Sequence, residues 1–170
     1  MSVGLLILRV VVGLSLALHG AQKVFGWFGG YGLKGTGQFL EQLGFRPGRL
    51  QAAVAGISEV VGGLLLIAGF LTPAAAAVAV AVMLVAAVTV HGQKGFFIQD
   101  GGCEYTLVLG AAALALGFTG AGALSLDQAL GLELSGGAWG VATLVAGLVG
   151  GVVPIVTRRA PEPASVPHAA

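Results

Sequence analysis

Apolar residues fall into five long runs, and short segments rich in glycine, aromatics and charge part them. The runs cover residues 3–22, 50–71, 74–90, 105–118 and 138–156. A membrane-crossing helix needs about 20 predominantly apolar residues, so each run predicts a span. The fourth is short and can borrow residues 101–104 at its start. The fifth is rich in glycine, and Arg158 and Arg159 stop it. Leu71-Thr72-Pro73 predicts a tight turn, with Pro73 suited to the first turn of the next helix. Two connections exceed hairpin length. In residues 23–49, Trp27, Phe28 and Tyr31 suit a membrane interface. There, residues 36–43 predict a short amphipathic helix in the headgroup layer, capped by Gly44 and closed off by Pro47. Residues 91–104 predict a second interfacial loop. The expected fold is all-α: a transmembrane helical bundle with a core over residues 1–127, an additional span in 128–159 and a disordered, proline-rich tail over 160–170.

Composition turns this pattern into a necessity. Apolar residues make up 56% of the chain and charged ones 9%, with a mean hydropathy of +0.97. A soluble domain is about 25% charged and could not hide so much hydrocarbon at this size. Lipid is therefore the expected partner for much of the surface. A net charge of +1 gives no electrostatic case for nucleic acid. Cys103 is the lone cysteine, so no internal disulfide forms; it reads as an inert small residue rather than a reactive thiolate. No Lys or Arg precedes the first run, so a retained span is expected there rather than a cleaved signal.

Charge distribution sets orientation. With five spans, Lys23, Lys34, Arg46, Arg49, Lys94, Arg158 and Arg159 all fall on one side, and no Lys or Arg falls on the other. The positive-inside rule then puts loops 23–49 and 91–104 in the cytoplasm and the N-terminus outside, in a multi-pass plasma-membrane protein.

Two ionisable residues lie deep within spans, Arg9 in the first and Glu59 in the second. An uncompensated charge at bilayer centre costs about 2.5–3.5 kcal/mol on insertion scales, so each needs a partner. Counting about 1.5 Å per residue from the ends of antiparallel spans places Glu59 level with Leu14 and Ser15. Arg9 is then the expected partner of Glu59, and His19 the competitor. Arg9, Leu16 and Lys23 share one stripe of the first helix, with His19 beside it, and the stripe should face the bundle interior. The hairpin topology gathers His19, Lys23, His91, Lys94, Asp100, Cys103 and Glu104 in one layer, accompanied by Trp27, Phe28, Phe96 and Phe97.

The segments LRVVVGLSLALHGAQKVFGW, GTGQFLEQLGF, GISEVVGGLLLIAGFLTPAAA, HGQKGFF, GGCEYTL and GAGALSLD, over about residues 5–127, together resemble the DoxX family of small membrane proteins. Arg9, His19, Gly20, Lys23, Glu59, Gly63, His91, Glu104 and Asp127 match its motif positions. The resemblance implies a four-helix membrane core and a link to quinone-coupled redox chemistry. The fifth apolar run and the tail depart from the family pattern, as does the N-terminus without basic residues.

A quinone headgroup needs donors to two carbonyl oxygens and a proton route. His19 and Lys23 could donate, Glu59 could exchange protons, and Trp27 or Phe96 could stack on the ring. This expectation makes Glu59 and His19 the candidate catalytic pair, with Arg9, Lys23, Trp27, His91 and Glu104 binding quinone. The alternative is a non-catalytic membrane anchor or assembly partner for a soluble redox enzyme, to which glycine-rich spans are equally suited. Self-association is compatible with either. No close ligand spacing such as HExxH or CxxC occurs, so neither metal nor haem is expected.

Overall fold

The structure, a computed structural model, describes residues 2–159; the tail over 160–170 lies outside them. Helix α1 spans Ser2–Val24, α2 Gly32–Gln42, α3 Gly48–Ala68, α4 Thr72–Ala86, α5 Glu104–Thr119, α6 Leu126–Ala129 and α7 Gly137–Thr157. A π-helical turn, Ala87–His91, extends α4, and a single 3-10 turn, Ile98–Asp100, breaks the following loop. Four helices are long and apolar enough to cross a membrane: α1, α3, α4 with its π turn, and α7; α5 is apolar but shorter, at 16 residues.

Helix α1 lies antiparallel along α3, with the small amphipathic α2 packed beside α3 on the basic face. Helix α4 links α3 to α5, and α7 packs against both α4 and α5. The interior is built from small or slender side chains: Val12, Leu16, Leu66, Ala75, Ala76, Ala79, Met83, Leu109, Ala113 and Leu116. Lipid tails are as apolar as leucine, so association depends on close packing rather than on expelling water. The α1–α3 seam shows this most clearly. A Cβ added to Gly20 would lie 2.6 Å from the Gly56 carbonyl oxygen, and one added to Gly13 would lie 2.6 Å from that of Gly63. The backbones touch, and those two contacts fix the register of the pair.

The α3–α4 hairpin turns through Gly69 and Leu71, both at positive φ (63° and 48°), and Pro73 opens α4. The fifth apolar run is a real helix of the bundle. On α7, Thr143 Oγ1 donates to the Pro73 carbonyl at 3.1 Å, and Gly147 meets Val80. Its end returns to the face that carries the α2–α3 linker, where Arg159 N donates to the Gly44 carbonyl at 2.9 Å. The chain thus crosses the bundle five times, and all seven basic residues outside Arg9 share one face.

Candidate functional site: a buried ion pair at the basic end of the bundle

The α1–α3 register decides which charges meet. With Gly13 against Gly63 and Gly20 against Gly56, Glu59 stands about level with Ala17, and Arg9 with Ile67. Glu59 therefore sits two or three residues further from Arg9 than loop-end counting places it. The expected Arg9–Glu59 ion pair does not form. Lys23 turns its side chain up into the seam instead, and its Nζ donates to Glu59 Oε1. Glu59 has no exposed surface, whereas the Lys23 side chain retains 30%. The second carboxylate oxygen, Oε2, is buried and has no hydrogen-bond partner among the described residues.

Arg9 serves the opposite end. It is 2% exposed. Its Nη1 donates to the Ile67 carbonyl at 3.1 Å, and its Nη2 donates to the Leu124 carbonyl. The Asp127 carboxylate adds electrostatic attraction. Asp127 is itself 4% exposed and caps a helix from across the fold. One of its oxygens accepts from Leu71 N at 2.8 Å; the other accepts from Thr72 N at 3.1 Å and Thr72 Oγ1 at 2.7 Å. A helix leaves its first N–H groups without intrahelical partners, and a carboxylate there also complements the helix dipole. Arg9 and Asp127 thus lock the α3–α4 turn to the 120–127 loop. Residue patterns carried no signal for this, because Thr72 directly before Pro73 reads as a local cap; the structure puts Leu71 at the cap position and Thr72 inside the helix.

His19 also departs from expectation. It is exposed and does not reach Glu59; its ring lies 6.2 Å from that of Tyr105 on α5, inclined at 55°. One turn of α1 separates it from Lys23, close enough for the two to interact electrostatically. The polar stripe therefore splits. Arg9, Leu16 and Lys23 turn inward, and His19 looks outward between α1 and α5. Tyr105 is a member of this group that residue patterns did not single out.

The remaining candidates shape the surroundings. His91 Nδ1 pairs with the Gly101 carbonyl at 2.6 Å, and Glu104 Oε2 accepts from Ile98 N at 3.0 Å. Both fold the 91–104 loop back onto the start of α5. Trp27 stacks on Phe25 with ring centroids 4.8 Å apart and meets Phe28 edge-on. All three rings are more than half exposed, at the end of α1. The anticipated Arg/Glu/His cluster is thus two separate ionic centres. Glu59 with Lys23, flanked by His19 and Tyr105, occupies the basic end; Arg9 with Asp127 occupies the other. No three His, Cys, Asp or Glu side chains among the described residues come together as a metal-holding group.

Apolar helices of spanning length, tied by glycine contacts and buried ionic centres, define a polytopic α-helical membrane protein. The chain belongs to the DoxX family, whose model matches residues 4–92. It is also similar to "Putative oxidoreductase CatD" of Bacillus subtilis (strain 168), at 33% identity over 125 residues, which cover 74% of this chain and 85% of the relative. No solved structure matches it.

Proposed function

We propose that this protein is a quinone-interacting membrane subunit of a redox system, working at the Lys23–Glu59–His19–Tyr105 end of the bundle. One observation carries the reading. A fully buried carboxylate keeps an unpartnered oxygen, Glu59 Oε2, next to a lysine that reaches down from the headgroup layer. Intramembrane ionisable groups are costly and mark functional sites by default. Glu59 is suited to exchange protons with a buried hydroxyl or carbonyl, and Lys23 is suited to supply and recover them at the surface. His19 and Tyr105 lie exposed on the flank of α1 and α5, the side from which a lipid-soluble ring would arrive. Their rings offer a stacking surface and polar tips. Quinone reduction takes two electrons and two protons; in this reading a soluble partner enzyme supplies the electrons. The relative's name, an oxidoreductase, agrees with this class. The positive-inside rule and the seven basic residues support a cytoplasmic position for this face in a plasma-membrane protein.

The second reading, an anchor for a soluble redox enzyme, is favoured by Phe96, Phe97 and Ile98. They stand 51%, 56% and 52% exposed on the 91–104 loop of this same face. Quinone retained by the purified chain, and lost in Glu59→Gln while helix content is kept, supports the first reading. Full quinone binding and partner-dependent turnover in that variant would remove Glu59 from the mechanism and leave the anchor.

A further inference from the structure

The loop between α4 and α5 carries three consecutive apolar side chains, Phe96, Phe97 and Ile98, each more than half exposed. On a loose tip such exposure would mean little, but this loop is held in a fixed shape. Cys103 N donates to the Gly95 carbonyl at 3.1 Å, and Glu104 N donates to that of Phe96 at 2.8 Å. Gly102 N donates to the Phe97 carbonyl and Gly101 N to that of Ile98, both at 2.9 Å. The Glu104 carboxylate accepts from Ile98 N at 3.0 Å. A Cβ added to Gly102 would lie 2.5 Å from the Gly95 oxygen, so the two arms of the loop are in main-chain contact. The Phe96 and Phe97 rings meet edge-on, with centroids 5.3 Å apart.

We propose that Phe96, Phe97 and Ile98 form a wedge seated among the acyl chains of the adjoining leaflet. Three observations favour lipid over a protein as the occupant. The carbonyls from Gly95 to Ile98 all accept hydrogen bonds within the loop, so the backbone under the trio makes little demand on water. The bond from Glu104 to Phe96 fastens the trio to the first residue of α5. That helix, at 16 residues or about 24 Å, is shorter than a hydrocarbon layer of about 30 Å, so a loop tied to its end is drawn toward the tails. Glu104 also joins the trio to the lipid-facing start of α5, where Leu107 and Val108 are exposed. Lys94 and Asp100 flank the trio in sequence, both exposed, and suit the headgroups above it. The wedge holds the start of α5, and Tyr105 with it, at a set depth. It assigns to lipid the patch that the anchor reading gives to a soluble enzyme.

Tryptophan fluorescence of the full chain in phosphatidylcholine vesicles tests the wedge without quinone or a partner enzyme, so its failure and that of the redox reading are distinguishable. Trp27→Phe and Trp139→Phe remove the two native tryptophans, and Phe97→Trp then puts a single reporter in the trio. Phosphatidylcholine brominated on its acyl chains should lower the emission about threefold, and aqueous iodide should lower it by less than about a fifth. Gln99→Trp, exposed on the same loop outside the trio, should show the reverse pattern. Strong iodide quenching of Phe97→Trp with no effect of bromine overturns the proposal and returns the patch to a protein partner. Equal bromine quenching of the two reporters also overturns it, because the loop would then lie flat along the surface. Helix content verifies the fold of each variant. Should Phe97→Trp fail to fold, Phe96→Trp decides the matter by the same measurement.

Discussion

Lys23 and Glu59 differ in what happens to each when the other is removed, and a double-mutant cycle reads that difference. Glu59 is wholly enclosed, while the Lys23 side chain retains 30% of its surface. Lys23→Met strands a carboxylate that cannot reach water, at an expected cost of about 3–5 kcal/mol. Glu59→Gln leaves an ammonium that can swing back to the headgroups, so the cost falls to the unpaired buried amide, about 1–3 kcal/mol. The double variant carries only that amide and should resemble Glu59→Gln. The coupling energy then equals the cost of Lys23→Met, roughly 3–5 kcal/mol, well above the 0–1 kcal/mol of an exposed pair. Equilibrium unfolding in mixed micelles, followed by helix content, measures all three variants. Two results would refute the reasoning. One is additivity of the single variants within about 0.5 kcal/mol; the other is Glu59→Gln costing more than Lys23→Met.

Gly20→Ala puts a methyl 2.6 Å from the Gly56 oxygen and 2.7 Å from Val60 N, so α1 and α3 must part; a loss of about 1–3 kcal/mol is expected in the same assay. Wild-type stability would mean that the seam is looser than described. Asp127→Ala removes the acceptor for Leu71 N, Thr72 N and Thr72 Oγ1 and leaves Arg9 without its counter-charge. It should cost about 3–5 kcal/mol and speed amide exchange at Leu71 and Thr72; protected amides there would contradict the capping role. Arg9→Lys replaces a fork that meets two carbonyls with one ammonium, and should cost about 1–2 kcal/mol while leaving quinone binding intact. In a quinone-reductase assay, Tyr105→Phe should retain most activity and Tyr105→Ala lose most of it, because a stacking surface beside His19 needs the ring and not the hydroxyl; equal behaviour of the two would dismiss the stacking surface.

The spans were legible because hydrocarbon length is a one-dimensional property. The runs at 3–22 and 138–156 became Ser2–Val24 and Gly137–Thr157. The turn at Leu71-Thr72-Pro73 and the Gly44 bend also followed from residue chemistry. The partners of Arg9 and Glu59 did not, because pairing depends on the sliding register of two helices. Counting from loop ends assumes that both helices start at one plane. Contact between Gly13 and Gly63, and between Gly20 and Gly56, sets the offset, and a difference of two or three residues exchanges Arg9 for Lys23. His19 escaped for a related reason: it flanks the buried stripe, and only the position of α5 decides that it turns to Tyr105.

Helix α5 is 16 residues long, about 24 Å, whereas the hydrocarbon layer is about 30 Å thick. Its neighbour α1, with 23 residues, overreaches that thickness. Acyl chains cannot match both, so the bilayer must dimple where α5 meets it. Glu104 and Tyr105 begin that helix, and the water boundary is drawn down toward them. A hydrophobic ring diffusing among the tails would thus encounter polar groups without first climbing out of the oil.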